Sequence, residues 1–129
     1  MKRTGTRFRP RLVQGDYDAI IIGSGMGGLT AAALLAKLGK RVCVLEQHYT
    51  AGGYTHSYER EGYEWDVGVH YIGEVHKPWS MIRRVFDVIS DGKLEWAPMD
   101  ARYDRIVLGD SVIDYVAGRD EFKAEMKLH

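Results

Sequence analysis

Residues 16 to 46 read DYDAIIIGSGMGGLTAAALLAKLGKRVCVLE, and this stretch decides the fold. Tyr17 to Ile22 is a short β-branched run, the signature of a strand buried on both faces of a parallel sheet. A glycine cluster, Gly23-Ser-Gly-Met-Gly-Gly28, follows it. Leu29 to Leu38 is rich in Ala and Leu with no internal Gly or Pro, which predicts a compact helix. Gly39 stands where a left-handed residue ends a helix. Arg41 to Leu45 then predicts a second strand, closing on Glu46. The whole is a βαβ unit of about 30 residues.

The glycines have separate tasks. Gly23 permits the tight turn, Gly25 lets the backbone approach a pyrophosphate, and Gly28 allows the helix to pack closely on the strand. Amides from Met26 to Leu29 then face the phosphates with the favourable end of the helix dipole. Glu46 lies 18 residues after Gly28, at the carboxyl end of the second strand, where a carboxylate accepts from an adenosine ribose. A carboxylate there disfavours a ribose 2′-phosphate, which places FAD or NAD ahead of NADP. The fingerprint by itself does not choose between those two.

Downstream the chain turns irregular and aromatic. Ala51 to Gly53 reads as a loop. Tyr54 to Glu59 and Tyr63 to Asp66 read as a hairpin through the Glu61-Gly62 turn. Pro78 opens a second predicted helix, with Trp79, Ile82, Val85, Phe86 and Ile89 at helical spacing and Gly92 beyond its end. Leu94 to Met99 reads as a short strand. Tyr103 to Leu108 and Ser111 to Ala117 flank a Gly109-Asp110 hairpin signal, and a last helix begins near Asp120 and runs to the end at His129.

The 129 residues suit one domain and a core burying roughly two-thirds of the unfolded surface. A single cysteine, Cys43, forbids an internal disulfide and fits a reducing, cytoplasmic compartment. A mean hydropathy of −0.31 and the lack of a long apolar run argue against a transmembrane span. Eighteen basic and eighteen acidic residues cancel, which gives no basic surface for nucleic acid. The balance hides an asymmetry. Residues 1 to 15 carry Lys2, Arg3, Arg7, Arg9 and Arg11 with no acid, leaving 13 basic against 18 acidic residues in the body. This basic arm lacks the apolar stretch of a secretory signal. Its plain reading is a flexible, solvated terminus; its functional reading is contact with anionic lipid headgroups or an acidic partner.

DAIIIGSGMGGLTAAALLAKLGKRVCVLEQHYTAGG at residues 18–53 and GYEWDVGVHYIG at residues 62–73 carry a resemblance. They resemble the N-terminus of the retinol saturase, carotenoid isomerase and phytoene desaturase group of flavoproteins, the retinol saturase-like branch above all. The resemblance implies a fold class: an α/β, Rossmann-like βαβ FAD/NAD(P)-binding domain, here its N-terminal portion with added antiparallel hairpins. On that reading residues 16–129 are part of a longer enzyme, without its substrate domain. The resemblance also implies that Ser24, Gly25, Met26, Gly27 and Gly28 contact the FAD pyrophosphate. Glu46, with Gln47 beside it, would meet the ribose. Gly52, Gly53 and Tyr54 would pass close to the cofactor, and Gly68, Val69 and His70 return beside the flavin. Where the family's pattern often has basic residues around the double glycine, this chain has Ala51 and Tyr54. The implied chemistry is saturation, desaturation or isomerisation of a hydrophobic polyene.

Other residues carry weaker signals. His56, His70 and His76 match no zinc spacing, so no metal is expected. His70 and Tyr71 are candidates to line the flavin or donate a proton, against a hydrogen-bonded structural pair. Cys43, Trp65, Trp79 and Trp96 read as core residues. The stripe from Trp79 to Ile89, beside Arg83 and Arg84, reads as a core face or a membrane-docking face. Two alternatives to the flavoenzyme stay open here: an NAD-binding dehydrogenase module, and a nucleotide-binding fragment without catalysis of its own.

Overall fold

A computed structural model describes residues 5 to 128; Lys2 and Arg3 of the basic arm lie outside the described residues. The chain divides into two units, one ending at Leu94 and the other beginning at Glu95.

In the first unit β1 (Ala19–Ile22), α1 (Met26–Lys37) and β2 (Val42–Leu45) form the βαβ crossover. The strands are parallel, in a register pairing Ala19 with Val42 and Ile22 with Leu45. α1 begins three residues before the predicted Leu29 and takes Gly27 and Gly28 into its first turn. Glycine costs a helix up to about 1 kcal/mol relative to Ala, so propensity alone would not have placed the start there. The helix ends as expected. Gly39 (φ +77°) donates to Ala36 O and Lys40 N–H to Leu35 O, the paired bonds of a glycine-terminated helix.

β1 differs from the expectation of burial on both faces. Ile21 faces α1, whereas Ile20 and Ile22 are 60% and 89% exposed. The reason is layer count: α1 covers one face of this two-stranded sheet, and among the described residues no second helix layer covers the other. Among the described residues only Ser24, Gly52 and Val75 are buried, well short of the expected core. Cys43 is half-buried and Trp65 and Trp79 are exposed, so none of these three is a core residue here.

β3 (Ser57–Arg60) and β4 (Tyr63–Asp66) form the antiparallel hairpin around Glu61 and Gly62, both at positive φ. Tyr54 and Thr55, expected to begin the strand, instead lie in a 3-10 turn, Gly53–Thr55. α2 (Met81–Ser90) starts later than Pro78, because the Ser80 hydroxyl accepts from Arg83 N–H and sets the helix start. Its Arg83 guanidinium bonds both Asp87 and the carbonyl of buried Val75. Lys37 at the end of α1 pairs with Asp91, the left-handed residue ending α2.

Residues 94–99, where one unit gives way to the next, form no strand, contrary to the sequence reading; Pro98 removes a donor that a ladder would need. β5 (Arg102–Leu108) and β6 (Ser111–Val116) pair antiparallel around Gly109-Asp110. α3 (Arg119–Glu125) lays Phe122 against Tyr115, ring centroids 5.5 Å apart. It ends at Glu125, short of the expected run to His129.

Candidate functional site: the glycine loop and Glu46

The site forms where β1 and β2 end. Gly23 N–H donates to Leu45 O (2.7 Å), holding the first loop residue against the last strand residue before Glu46. Gly23 takes φ +95°, which only glycine tolerates readily. Gly28 is glycine for packing: a Cβ there would fall inside van der Waals contact with the Gly23 carbonyl and reach Ile21 Cγ2 at 3.3 Å.

Gly25 and Gly27 are different. Gly25 has ordinary extended geometry (φ −67°, ψ 174°), and Gly27 sits in a helical turn. Beyond its own neighbours in the chain and helix, a Cβ at either position would meet no atom of the described residues within 4 Å. Neither backbone conformation nor packing within the chain requires glycine at these two positions. They leave a cradle that a side chain would fill, beside the uncapped start of α1, where Gly25 caps without a side-chain hydrogen bond and the first turn holds no acid. The residues therefore fit a phosphate-bearing group.

Ser24 is 1% exposed and ties three segments together. Its N–H and its hydroxyl both donate to Glu46 Oε2, at 2.7 and 2.6 Å. Its Oγ and carbonyl accept from Gly52 N–H, at 3.2 and 3.0 Å. Glu46 Oε1 accepts from His48 N–H at 2.8 Å. The Ser24 hydroxyl, followed by the His48 and Ser24 amides, holds the Glu46 carboxyl down to about 2 from its ordinary 4.5. Three donors engage an anion with about four acceptor positions, leaving it ionised, oriented and able to accept another hydroxyl. Sequence reasoning assigned Ser24 to the pyrophosphate; it did not foresee that the hydroxyl is spent on Glu46 and Gly52.

Gly52 (φ +121°) and Gly53 (φ +57°) also have reasons internal to the chain. A Cβ at Gly53 would stand 3.0 Å from Gly25 Cα, and one at Gly52 3.2 Å from His56. The 3-10 turn after them is fixed by Thr55 and His56 N–H groups donating to Gly52 O and Gly53 O. His48, Tyr49 and His56 then cluster, with ring centroids 4.2 to 6.1 Å apart, a grouping their sequence positions did not reveal.

Of the remaining candidates, the structure brings Gly68 against Tyr54, next to the double glycine. Val67 N–H donates to His56 O (3.2 Å), and Tyr54 packs over Gly68, where a Cβ would lie 3.2 Å from its Cβ. Val69 and Tyr71 are 39% and 45% exposed, and Gln47 is exposed after Glu46. His70 Nδ1 stands 3.9 Å from the Asp66 carboxylate, an exposed pair of small energetic weight. Among the described residues, no three His, Cys, Asp or Glu side chains converge on a metal position.

This geometry agrees with the relationships of the chain. It is 44% identical over 126 residues to the all-trans-retinol 13,14-reductase of Danio rerio, a match covering 93% of the chain and 20% of that protein. It is 43% identical over 97 residues to an inactive all-trans-retinol 13,14-reductase of the same species, covering 75% of the chain and 16% of the relative. A chloroplastic prolycopene isomerase of Daucus carota is 55% identical over 53 residues, 41% of the chain and 9% of the isomerase. The chain thus spans about a fifth of the length of the curated relatives it matches. Residues 21–87, just over half of its length, match the family model of the NAD(P)-binding Rossmann-like domain. With the βαβ crossover, the glycine cradle and the strand-end acid in place, the chain belongs to the NAD(P)-binding Rossmann-like domain family.

Proposed function

We propose that this chain is the N-terminal, FAD-binding part of a flavin-dependent oxidoreductase acting on a hydrophobic polyene such as a retinoid or carotenoid. One observation carries the cofactor reading: glycines 25 and 27 have no reason internal to the chain and lie beside an uncapped helix start. The α1 amides from Met26 to Gly28 bind the pyrophosphate, and Glu46, with Gln47, receives the ribose hydroxyls. Tyr54, Gly68, Val69 and His70 flank the path toward the flavin, with His70 and Tyr71 the candidates for contact with the reacting end. When bound, FAD supplies two-electron redox chemistry, while these residues bind and orient it. The polyene substrate and the class of reaction rest on the similarity to a retinol reductase and a prolycopene isomerase. An inactive relative at similar identity makes turnover a separate question from nucleotide binding.

The test is spectroscopic. The purified chain should carry, or take up, a flavin absorbing in the visible and bleached by dithionite. A colourless protein indifferent to added FAD defeats the reading. The family description favours a second reading, an NAD-binding module; fluorescence change on NADH titration with none on FAD would establish it. No helix among the described residues is long and apolar enough to cross a membrane. A cytoplasmic location with peripheral membrane contact is the reading consistent with a polyene substrate, and vesicle flotation tests it.

A further inference from the structure

The described part of the basic arm, residues 5–15, has a definite place in the structure. Residues 5–9, Leu12, Val13 and the carboxyl end of β2 line one cavity of about 750 Å³, within the range of small-molecule sites. The arm leaves the sheet at a fastened point. Asp18 N–H donates to Arg41 O, the Asp18 carboxylate accepts from Arg41 N–H, and the Arg41 guanidinium lies 5.1 Å from the Tyr17 ring centroid. Gly15 (φ +112°) passes so near Arg41 that a Cβ would stand 2.8 Å from its Nη2. A 3-10 turn, Pro10–Leu12, then shapes the arm, with Leu12 N–H donating to Arg9 O at 2.8 Å.

The lining has three chemistries in one place. Phe8, Ile22 and Leu45 offer an apolar wall, the last two from the face of the sheet that α1 leaves open. Glu46 and Gln47 offer hydroxyl acceptors. Arg7 and Arg9 are the cations in the lining, against one anion, Glu46, which is already engaged by Ser24 and His48. A flat apolar base, a sugar and a diphosphate satisfy these in turn, and no purely apolar ligand does.

We propose that the arm is a wall of the nucleotide site: it folds over the adenosine diphosphate moiety of the dinucleotide, with Phe8 against the base and Arg7 and Arg9 facing the phosphates. This rests on the dinucleotide reading above but not on the choice of FAD over NAD. It also gives the arm an occupant other than a lipid surface.

Three proteins decide it: the whole chain, a version lacking residues 1–14, and the double variant Arg7→Ser/Arg9→Ser, which keeps the apolar wall. Each is titrated with FAD, ADP and FMN at two salt concentrations, with circular dichroism as the check of folding. Removing the arm should raise the Kd for FAD and ADP at least about tenfold, the weight of one or two charge-assisted hydrogen bonds. The double variant should show a smaller rise and a flatter salt dependence, since fewer phosphate charges are neutralised. FMN, which lacks the adenosine half, should respond equally in all three. A folded truncated chain that binds FAD and ADP as tightly as the whole chain overturns the proposal. If truncation unfolds the protein, the double variant decides, and an unchanged Kd and salt slope overturn it. A whole chain that binds neither FAD nor ADP sinks both this proposal and the function above. Arm-dependent binding of ADP and NADH without FAD removes only the flavin reading. Binding of anionic vesicles by the arm with no effect on nucleotide transfers it to a membrane role.

Discussion

The two longer helices of the first unit begin in opposite ways. α2 is closed by its own chain: the Ser80 hydroxyl accepts from Arg83 N–H at 3.2 Å, and Arg83 and Asp87 pair along its face. α1 starts at Gly25 with no side-chain cap, no acid in its first turn and open space around Gly25 and Gly27. Every helix start leaves amides that need partners. α2 meets that need locally, so its N-terminus is structural. α1 leaves it to water or to a ligand, beside an oriented carboxylate. The difference separates a helix start that the chain itself completes from one that stays open, where the proposed phosphate site lies.

Four substitutions would break or sharpen this contrast. The largest effect should come from Gly28→Ala, whose methyl collides with the Gly23 carbonyl, a backbone atom that cannot swing aside. Overpacking of this kind costs roughly 1–3 kcal/mol or more, so thermal unfolding should fall by several degrees and nucleotide binding should vanish. Retention of both would show that helix and loop separate more easily than described.

Gly25→Asp should split stability from binding. The position has extended geometry and free space, so aspartate can cap α1 as Ser80 caps α2, with a gain of a few tenths of a kcal/mol. The same carboxylate occupies the phosphate position with like charge, and the Kd for FAD or ADP should rise about a hundredfold or more. Unchanged binding would mean that the open helix start is not the phosphate site.

Ser24→Ala removes the largest cause of Glu46's lowered pKa, and nucleotide affinity should fall about tenfold at neutral pH. The pH dependence carries the sharper test. A carboxyl held near 2 when folded, against 4.5 ordinarily, adds stability that is fully present above about pH 4.5 and lost as pH falls through 2. In the variant the carboxyl returns toward 4.5, so binding should begin to fail near pH 4 to 5 while the parent still binds. Superimposable acid limbs would dissociate Ser24 from Glu46.

The smallest effect belongs to Ser80→Ala. Loss of this cap should cost about 1 kcal/mol in denaturant unfolding and leave nucleotide affinity untouched. A loss of affinity here would erase the distinction between the two helices.

Much of this was legible in the sequence because it depends on local chemistry. A β-branched run, a glycine cluster, an Ala/Leu-rich segment and a strand-end acid specify a βαβ crossover through backbone conformation and side-chain period alone. Gly39 at +77° and the Glu61-Gly62 and Gly109-Asp110 turns follow from the same conformational freedom. Residues 94–99 differ for a related reason: the segment is short and mostly apolar, but a strand exists only where a partner completes its ladder.

What lies across the chain was not legible. By itself the sequence determined the crossover, its hairpins, the place of the glycine loop and the identity of the acid, all set by neighbours in the chain. Only the tertiary structure decided that Ile20 and Ile22 face outward, because burial depends on which layers exist to cover a strand. It also decided that Ser24, 22 residues from Glu46 and 28 from Gly52, joins them through one hydroxyl. The basic arm shows the same division: its charge is a property of composition, but the place of residues 5–13 beside the carboxyl end of β2 depends on where Gly15 and Arg41 turn the backbone.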